Sequence, residues 1–224
     1  MLWSAITLAA YLAALWLYRR SGHHLLCLPV LTGTGLVLAA LALAGTGYPV
    51  YAEATRVLRW LAGPAVIALA VPLYAQRQRI RAMWRPLCLA LLAGCSAAIV
   101  SALAIGWALG ASMETLLSLA PKSATMPIAL PVAERLGGLP SFAAVAVAIT
   151  GIAGAVLADP LLRLLHVQDP AVRGFAVGLT AHAIGTAREL QTHPAAGAFA
   201  ALAMGLNGVA TAVLVPVFVA LLPA

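Results

Sequence analysis

The chain has 224 residues, of which 63% are apolar and 8% charged, and its mean hydropathy is +1.02. That excludes a soluble globular domain, which carries about a quarter charged residues. The net charge of +7 comes from thirteen basic residues against six acidic ones. No basic face is clustered with aromatic residues, so no nucleic-acid partner is expected, and most arginines fall in short loops that orient a membrane protein. The expected architecture is an all-α polytopic membrane protein in a lipid bilayer, a single transmembrane domain over residues 1–224. It has about six full spans plus two interrupted or re-entrant helical segments, and no cofactor or metal. Cys27, Cys88 and Cys95 lie in apolar runs without metal-ligand or disulfide spacing and read as small buried hydrophobes.

Leu2–Tyr18 is the first apolar run, closed by Arg19 and Arg20, and reads as a retained span, since no basic region precedes it. Leu25–Ala44 is the second span, and Gly45–Glu53 a loop with Gly45, Gly47 and Pro49 as breakers. Val57–Tyr74 is the third, kinked or interrupted at Gly63-Pro64 and Val71-Pro72. Gln76–Arg85 is the most basic loop, and Pro86–Leu109 the fourth span. Residues 1–109 thus hold the first four spans.

The stretch Leu116–Pro131, LLSLAPKSATMPIALP, breaks the pattern. It holds three prolines and Lys122, the only lysine in the sequence. Pro121 and Pro127 each remove a backbone donor and disfavour helix just before them, and lipid offers the freed groups no partner. A broken helix or re-entrant hairpin lining a cavity is expected, with Lys122, Ser123 and Thr125 facing the cavity. Ser141–Leu162 is the next span and Arg163–Arg173 a polar loop. Phe175–Gln191 holds a second interruption, Thr180 to Arg188, and Ala198–Leu222 is the last span.

Ser141–Leu162 and Ala198–Val219 match at Phe142/Phe199, Gly151/Gly208 and Val156-Leu157/Val213-Leu214. Each follows a polar, interrupted segment, so residues 112–162 and 174–222 read as two repeat units. Placing the arginine loops on the cytoplasmic side inverts the two units and brings their interrupted tips together near the midplane, which is where transporter sites lie.

A half-helix starting near Ser123 would present free N–H groups and a partial positive charge, Lys122 a full one, and Ser123 and Thr125 hydroxyl donors. That suits a small carboxylate anion. Against this, Lys122 could snorkel to the interface or pair with Glu114 or Glu134. The convergence of breakers, hydroxyls and charge favours the site. His182 and Thr186 form the mirror element, with Gly185 allowing close backbone approach. Asn207 matches Thr150 in the repeat register and is either a helix–helix hydrogen bond or a ligand contact. Ser123 with His182 could also suggest an intramembrane hydrolase, but there is no G-x-S-x-G elbow, and no enzyme activity is expected.

APKSATMPIA, GIAGAVLADPLL, RGFAVGLTAHAIGTA, AFAALAMGLNGVATAVL and the earlier LAGPAVIALAVPLYAQ together resemble the LrgB/CidB family over essentially the whole chain. That family is labelled antiholin-like or murein-hydrolase regulator, and is similar to the C-terminal half of the plastid glycolate/glycerate translocator and to bacterial proteins linked to pyruvate transport. The resemblance implies a bacterial inner-membrane carrier of small 2-oxo or 2-hydroxy monocarboxylates, working with an LrgA/CidA-type small membrane protein. A holin-like pore or regulator of cell lysis is the alternative. The substrate-binding residues implied are Lys122, Ser123, Thr125 and Pro127 in one motif and Thr180, His182, Gly185 and Thr186 in the other, with Asn207 beside them. Met126 and Ala181 stand where the family commonly has hydroxyl residues, and Asn207 and Asp159 where it has small ones. A homodimer is expected from the small-residue spans.

Overall fold

A computed structural model describes residues 2–22, 24 and 27–221, which form α-helices and no strand. In chain order these are α1 (Leu2–Arg20), α2 (Pro29–Leu43), α3 (Tyr48–Ala54), α4 (Arg56–Ala68), α5 (Ala70–Ala75), α6 (Arg77–Ala82), α7 (Trp84–Ala108), α8 (Met113–Leu119), α9 (Met126–Arg135), α10 (Pro140–Leu164), α11 (Pro170–Thr192) and α12 (Pro194–Ala220). Among the described residues, five stretches are long and apolar enough to cross a membrane, six if the pair α2 and α3, bent by 117°, counts as one span. The chain is an all-α polytopic membrane protein, as its composition demands.

Several local expectations need correcting. Of the three cysteines read as buried, only Cys95 is; Cys27 is half-buried and Cys88 exposed on α7. The loop at Gly45–Glu53 contains helix α3, because Pro49 sits in its first turn, where a missing N–H costs nothing and the fixed φ favours helix. The basic loop Gln76–Arg85 contains helix α6, two of whose arginines, Arg79 and Arg81, lie in its last turn, where cations are favoured. The third span is interrupted after Ala68, while Pro64 is carried inside α4.

The chain divides into two compact units, residues 1–70 and 71–224. In the first, α1 packs on α2 through Ala10, Val37 and Leu41. Polar groups add to this: Ser4 Oγ donates to Ala54 O at 2.9 Å, Thr7 Oγ1 meets the Tyr51 hydroxyl at 3.0 Å, and Trp3 stands edge-on to Tyr51.

The second unit contains both interrupted segments, and both fold back on themselves. The α8–α9 segment breaks at residues 120–125. Past its end, Leu139 N donates to Ser118 Oγ at 2.7 Å, so the chain returns beside its own first helix. Gly138 makes the return possible, because a Cβ there would lie 2.8 Å from Ser118 N.

Helix α11 is two half-helices joined at His182, whose backbone is non-helical at φ 39°, ψ −129°. Arg173 and Glu189 are sixteen residues apart, which is about 24 Å along a straight helix. Their side chains nevertheless meet at 2.8 Å. The register against α12 agrees. Gly174 and Gly178 in the first half face Ala196 and Ala200, running parallel, whereas Thr186 and Leu190 in the second half face Ala200 and Gly197, running antiparallel. This is a helical hairpin with His182 at its tip.

The two hairpins point at each other. The first has its base at the N-terminal end of α10. The second has its base at the other end, where Asp159 meets Arg173 and Arg188. Each hairpin packs on the span belonging to the other repeat, at the matching glycine. A Cβ on Gly151 of α10 would strike His182 and Ile184 of the second hairpin, and one on Gly208 of α12 would strike Ile128 of the first. The packing at these two glycines is reciprocal. On the flank, α7 packs on the second hairpin through Leu87, Phe175 and Leu179, with Phe199 of α12 behind them.

The close approach of α11 to α12 depends on Gly174 and Gly178, where a Cβ would fall on the carbonyl oxygens of Ala196 and Ala200. Gly178→Ala is therefore expected to cost about 1–3 kcal/mol by overpacking. Gly205→Ala, with nothing within 4 Å of the added carbon, should be neutral or stabilising. Thermal unfolding of the two variants in detergent checks this.

The loop before α11 is pinned by Asp169. Its Oδ1 accepts from Ala171 N at 2.7 Å, capping the helix, and its carboxylate pairs with Arg79. The Ala171 N–H, and then the Arg79 charge, hold the carboxyl below the usual carboxylate range. A depressed folded value contributes stability above the unfolded pKa of about 3.9, lost as pH falls through the lower folded value. Asp169→Ala should lose about 1 kcal/mol of cap stability at neutral pH, and the difference from wild type should vanish in acid.

Candidate functional site

The breaks are written into the chain locally. In the first hairpin, α8 ends at Leu119, and residues 120–125 turn through single hydrogen bonds, Lys122 N to Leu119 O at 3.1 Å and Ala124 N to Pro121 O at 3.0 Å. Helix α9 then starts at Met126, three residues later than Ser123, because Pro127 can occupy only a first-turn position without breaking the helix. Thr125 is its N-cap residue, with φ −68° and ψ 150°, but its hydroxyl does not cap the helix. By contrast, Ser112, Asp169 and His193 all cap theirs. The start of α9 thus lacks a side-chain cap, and among the described residues no hydrogen bond engages the Thr125 hydroxyl.

Lys122 is half-buried at this break. Among the described residues no ion pair or hydrogen bond engages its ammonium, and neither Glu114 nor Glu134 pairs with it. Ser123 is buried, Thr125 half-buried and Pro127 exposed.

Asn207, in the middle of α12, joins the two tips. Its Nδ2 donates to Ser123 O at 2.9 Å and to Leu179 O at 3.2 Å. These carbonyls belong to the two interrupted segments, so one amide answers backbone groups that the breaks release. The two possibilities open for Asn207, packing bond or ligand contact, resolve in part: it bonds backbone of both hairpins, and its Oδ1 is buried without a partner.

His182 is buried, and its Nε2 lies 2.9 Å from Val147 O, so the imidazole is held against α10. A carbonyl only accepts, so Nε2 carries the hydrogen in this bond. The positive φ of His182 costs on the order of 1–3 kcal/mol, and this bond together with the bare backbone of Gly151 beneath the ring holds it there. Thr186 is buried with its hydroxyl 3.4 Å from Ala200 O, and Gly185 lets the returning half-helix lie against Val177. Thr180 stands apart. Its hydroxyl bonds back to Ala176 O at 2.8 Å, and it lines an apolar cavity of about 360 Å³ between α7 and α11 with Met83, Leu87, Gly94 and Phe175. Asn207 and the Ser123 backbone therefore meet at one junction, with Lys122 next to it in sequence, whereas His182 and Thr186 are engaged with neighbouring spans and Thr180 faces another space.

One cluster escaped the sequence reading. At the base of the second hairpin, Arg173 makes a two-pronged pair with the fully buried Glu189 and also meets Asp159. Arg188 also reaches Asp159 and donates to Ala155 O at 2.9 Å. The four charges cancel and tie both halves of the hairpin to α10. The available signal was the presence of Asp159, Arg188 and Glu189 inside apolar surroundings, where embedded charges must find partners.

A model of the LrgB-like family matches residues 7–221. An uncharacterized protein of Bacillus subtilis (strain 168), YxaC, is 37% identical over 204 residues, which cover 91% of this chain and 88% of that protein. The antiholin-like protein LrgB of the same organism is 31% identical over 219 residues, 97% of this chain and 94% of that protein. An uncharacterized protein of Haemophilus influenzae is 33% identical over 184 residues, 82% of this chain and 80% of that protein. No solved structure matches the chain.

Glu189→Ala leaves Arg173 with half its carboxylate partners inside the protein. Removing one partner of a buried pair costs about 3–5 kcal/mol, and the partial exposure of Arg173 puts this case at the lower end, about 3 kcal/mol. The double variant Arg173→Met with Glu189→Ala should recover part of the loss. Chemical or thermal denaturation of both in detergent measures it.

Proposed function

The chain belongs to the LrgB-like family, and from that premise and the geometry of the two hairpins we propose that it is a secondary transporter or facilitator of small monocarboxylates in the bacterial inner membrane. One observation carries the reading: two helices are broken at tips that meet from opposite ends, and the only lysine of the chain lies at one break with no partner among the described residues. A straight bundle has no use for such breaks. A carrier does, because a broken helix supplies backbone donors and a partial positive charge at membrane depth. The carboxylate would lie at the start of α9, against the Lys122 ammonium, the Ser123 and Thr125 hydroxyls and the Met126 N–H. Pro127 fixes where that half-helix begins. His182, Gly185 and Thr186 shape the opposing tip and position it, and Thr180 stands at the edge of the flanking cavity.

The inverted hairpins support alternating access, in which one repeat moves against the other around a fixed anion. A second copy of the chain and an LrgA/CidA-type small membrane protein are the partners this reading expects. It assigns no enzymatic role to the chain.

A second reading is favoured by one observation, the printed name of the B. subtilis relative, antiholin-like protein LrgB. On that reading the chain takes part in a holin-like pore or in regulating lysis, and conducts solutes without selecting among them.

Proteoliposomes holding the full chain distinguish the two. Saturable uptake of radiolabelled pyruvate, lactate or glycolate without release of a trapped dye is expected for wild type. Lys122→Ala should weaken substrate affinity about ten- to a hundredfold, the value of a hydrogen bond to a charged group. Equal uptake by both proteins would remove Lys122 from the site, and dye release with unsaturable flux would replace the carrier by a pore.

A further inference from the structure

Asn207 leaves one acceptor unanswered. Its orientation is fixed, because Nδ2 donates to the carbonyls of Ser123 and Leu179, which can only accept. The amide cannot be turned over without placing oxygen against oxygen twice. Oδ1 therefore points away from both carbonyls, and it is buried with no hydrogen-bond partner among the described residues, in a residue only 1% exposed. It lies where the two hairpin tips meet, beside the hydroxyl-bearing break that includes Ser123 and Thr125.

An orphaned amide oxygen disfavours the closed arrangement, since it would regain hydrogen bonds whenever the tips part and water enters. A carrier gains from this. Closing empty is disfavoured, and closing around a molecule that supplies the missing donor is not. We infer that Asn207 Oδ1 reads the C2 substituent of the substrate, accepting from a hydroxyl, so that the site takes 2-hydroxy monocarboxylates in preference to their 2-oxo counterparts. This rests on the monocarboxylate reading above and names the part of the substrate that the second tip recognises. A carboxylate held at the Lys122 end has no proton to give at neutral pH. The group on the adjacent carbon is then the donor available to Oδ1, and a ketone there presents lone pairs to a lone pair. Sites built to bond a substrate hydroxyl reject the analogue that lacks it, because the buried partner is left unpaired. The matching position in the other repeat is Thr150, so the orphaned amide oxygen occurs on one side of the junction only.

The test uses the purified full chain in nanodiscs, titrated at pH 7 with L-lactate, D-lactate and pyruvate, which share a carbon skeleton and a carboxylate and differ at C2. At least one lactate enantiomer should bind about tenfold tighter than pyruvate, or more. In Asn207→Ala the lactate-to-pyruvate ratio should fall towards one. The ratio is taken within each protein, so a general loss of stability does not imitate the result, and Asn207→Val serves where the alanine variant does not fold. Pyruvate binding as tightly as both lactates to wild type overturns the inference and leaves the anion site standing. So does an undiminished lactate preference in either variant. Saturable binding of none of the three acids overturns the carrier reading with it.

Discussion

A helix can break inside oil only where something else takes up the backbone groups it releases. In this protein that constraint falls largely on one side chain. The Asn207 amide donates to Ser123 O in one interrupted segment and Leu179 O in the other. A small apolar residue there would leave two carbonyls to face each other in a dry interior, at a cost of a few kcal/mol. The polar residue in the middle of the last span is thus the counterpart of the irregular backbone around it. His182 answers a different need: its ring fills the space over Gly151 and bonds Val147 O, which holds the second tip against the span of the first repeat.

The same economy governs the small residues. Gly151 and Gly208 hold matching places in the two long spans, and each receives a hairpin from the other repeat. Their roles are steric, not conformational, because both sit in ordinary helix and are bare only to let a neighbour in. Gly174 and Gly178 do the same between α11 and α12. Small residues let backbones approach in membranes, where no hydrophobic drive exists between helices and packing must supply the attraction.

Much of this was legible in the sequence because it is local. Pro121, Pro127 and the hydroxyls between them mark the first break, and Gly185 and His182 the second. Of the positions matched between the two long spans, Gly151 and Gly208 each receive a hairpin, whereas Phe142 is exposed and Phe199 buried. Other features lay beyond a linear reading for physical reasons. The pairing of Asp159, Arg173, Arg188 and Glu189 needs α11 to fold back on itself, and no periodicity announces that two residues sixteen apart will touch. Helix α3 was hidden because a proline in a first turn and a proline in a breaker look alike without the turns around them. Thr180 was read with its neighbours as part of one site, yet its place on the first half-helix turns it toward α7.

The two hairpins are fastened differently at their bases. The base of the second is fastened by two arginines and two carboxylates, with Glu189 fully buried and Arg188 7% exposed. Opening it would strand charges in apolar surroundings, where one unpaired ion costs several kcal/mol. The base of the first is fastened by Ser118, which donates to Glu114 O and accepts from Leu139 N, and by the close approach at Gly138. Neutral hydrogen bonds of this kind are worth about 1 kcal/mol each. The first hairpin, which bears Lys122, therefore has less to break at its base than the second.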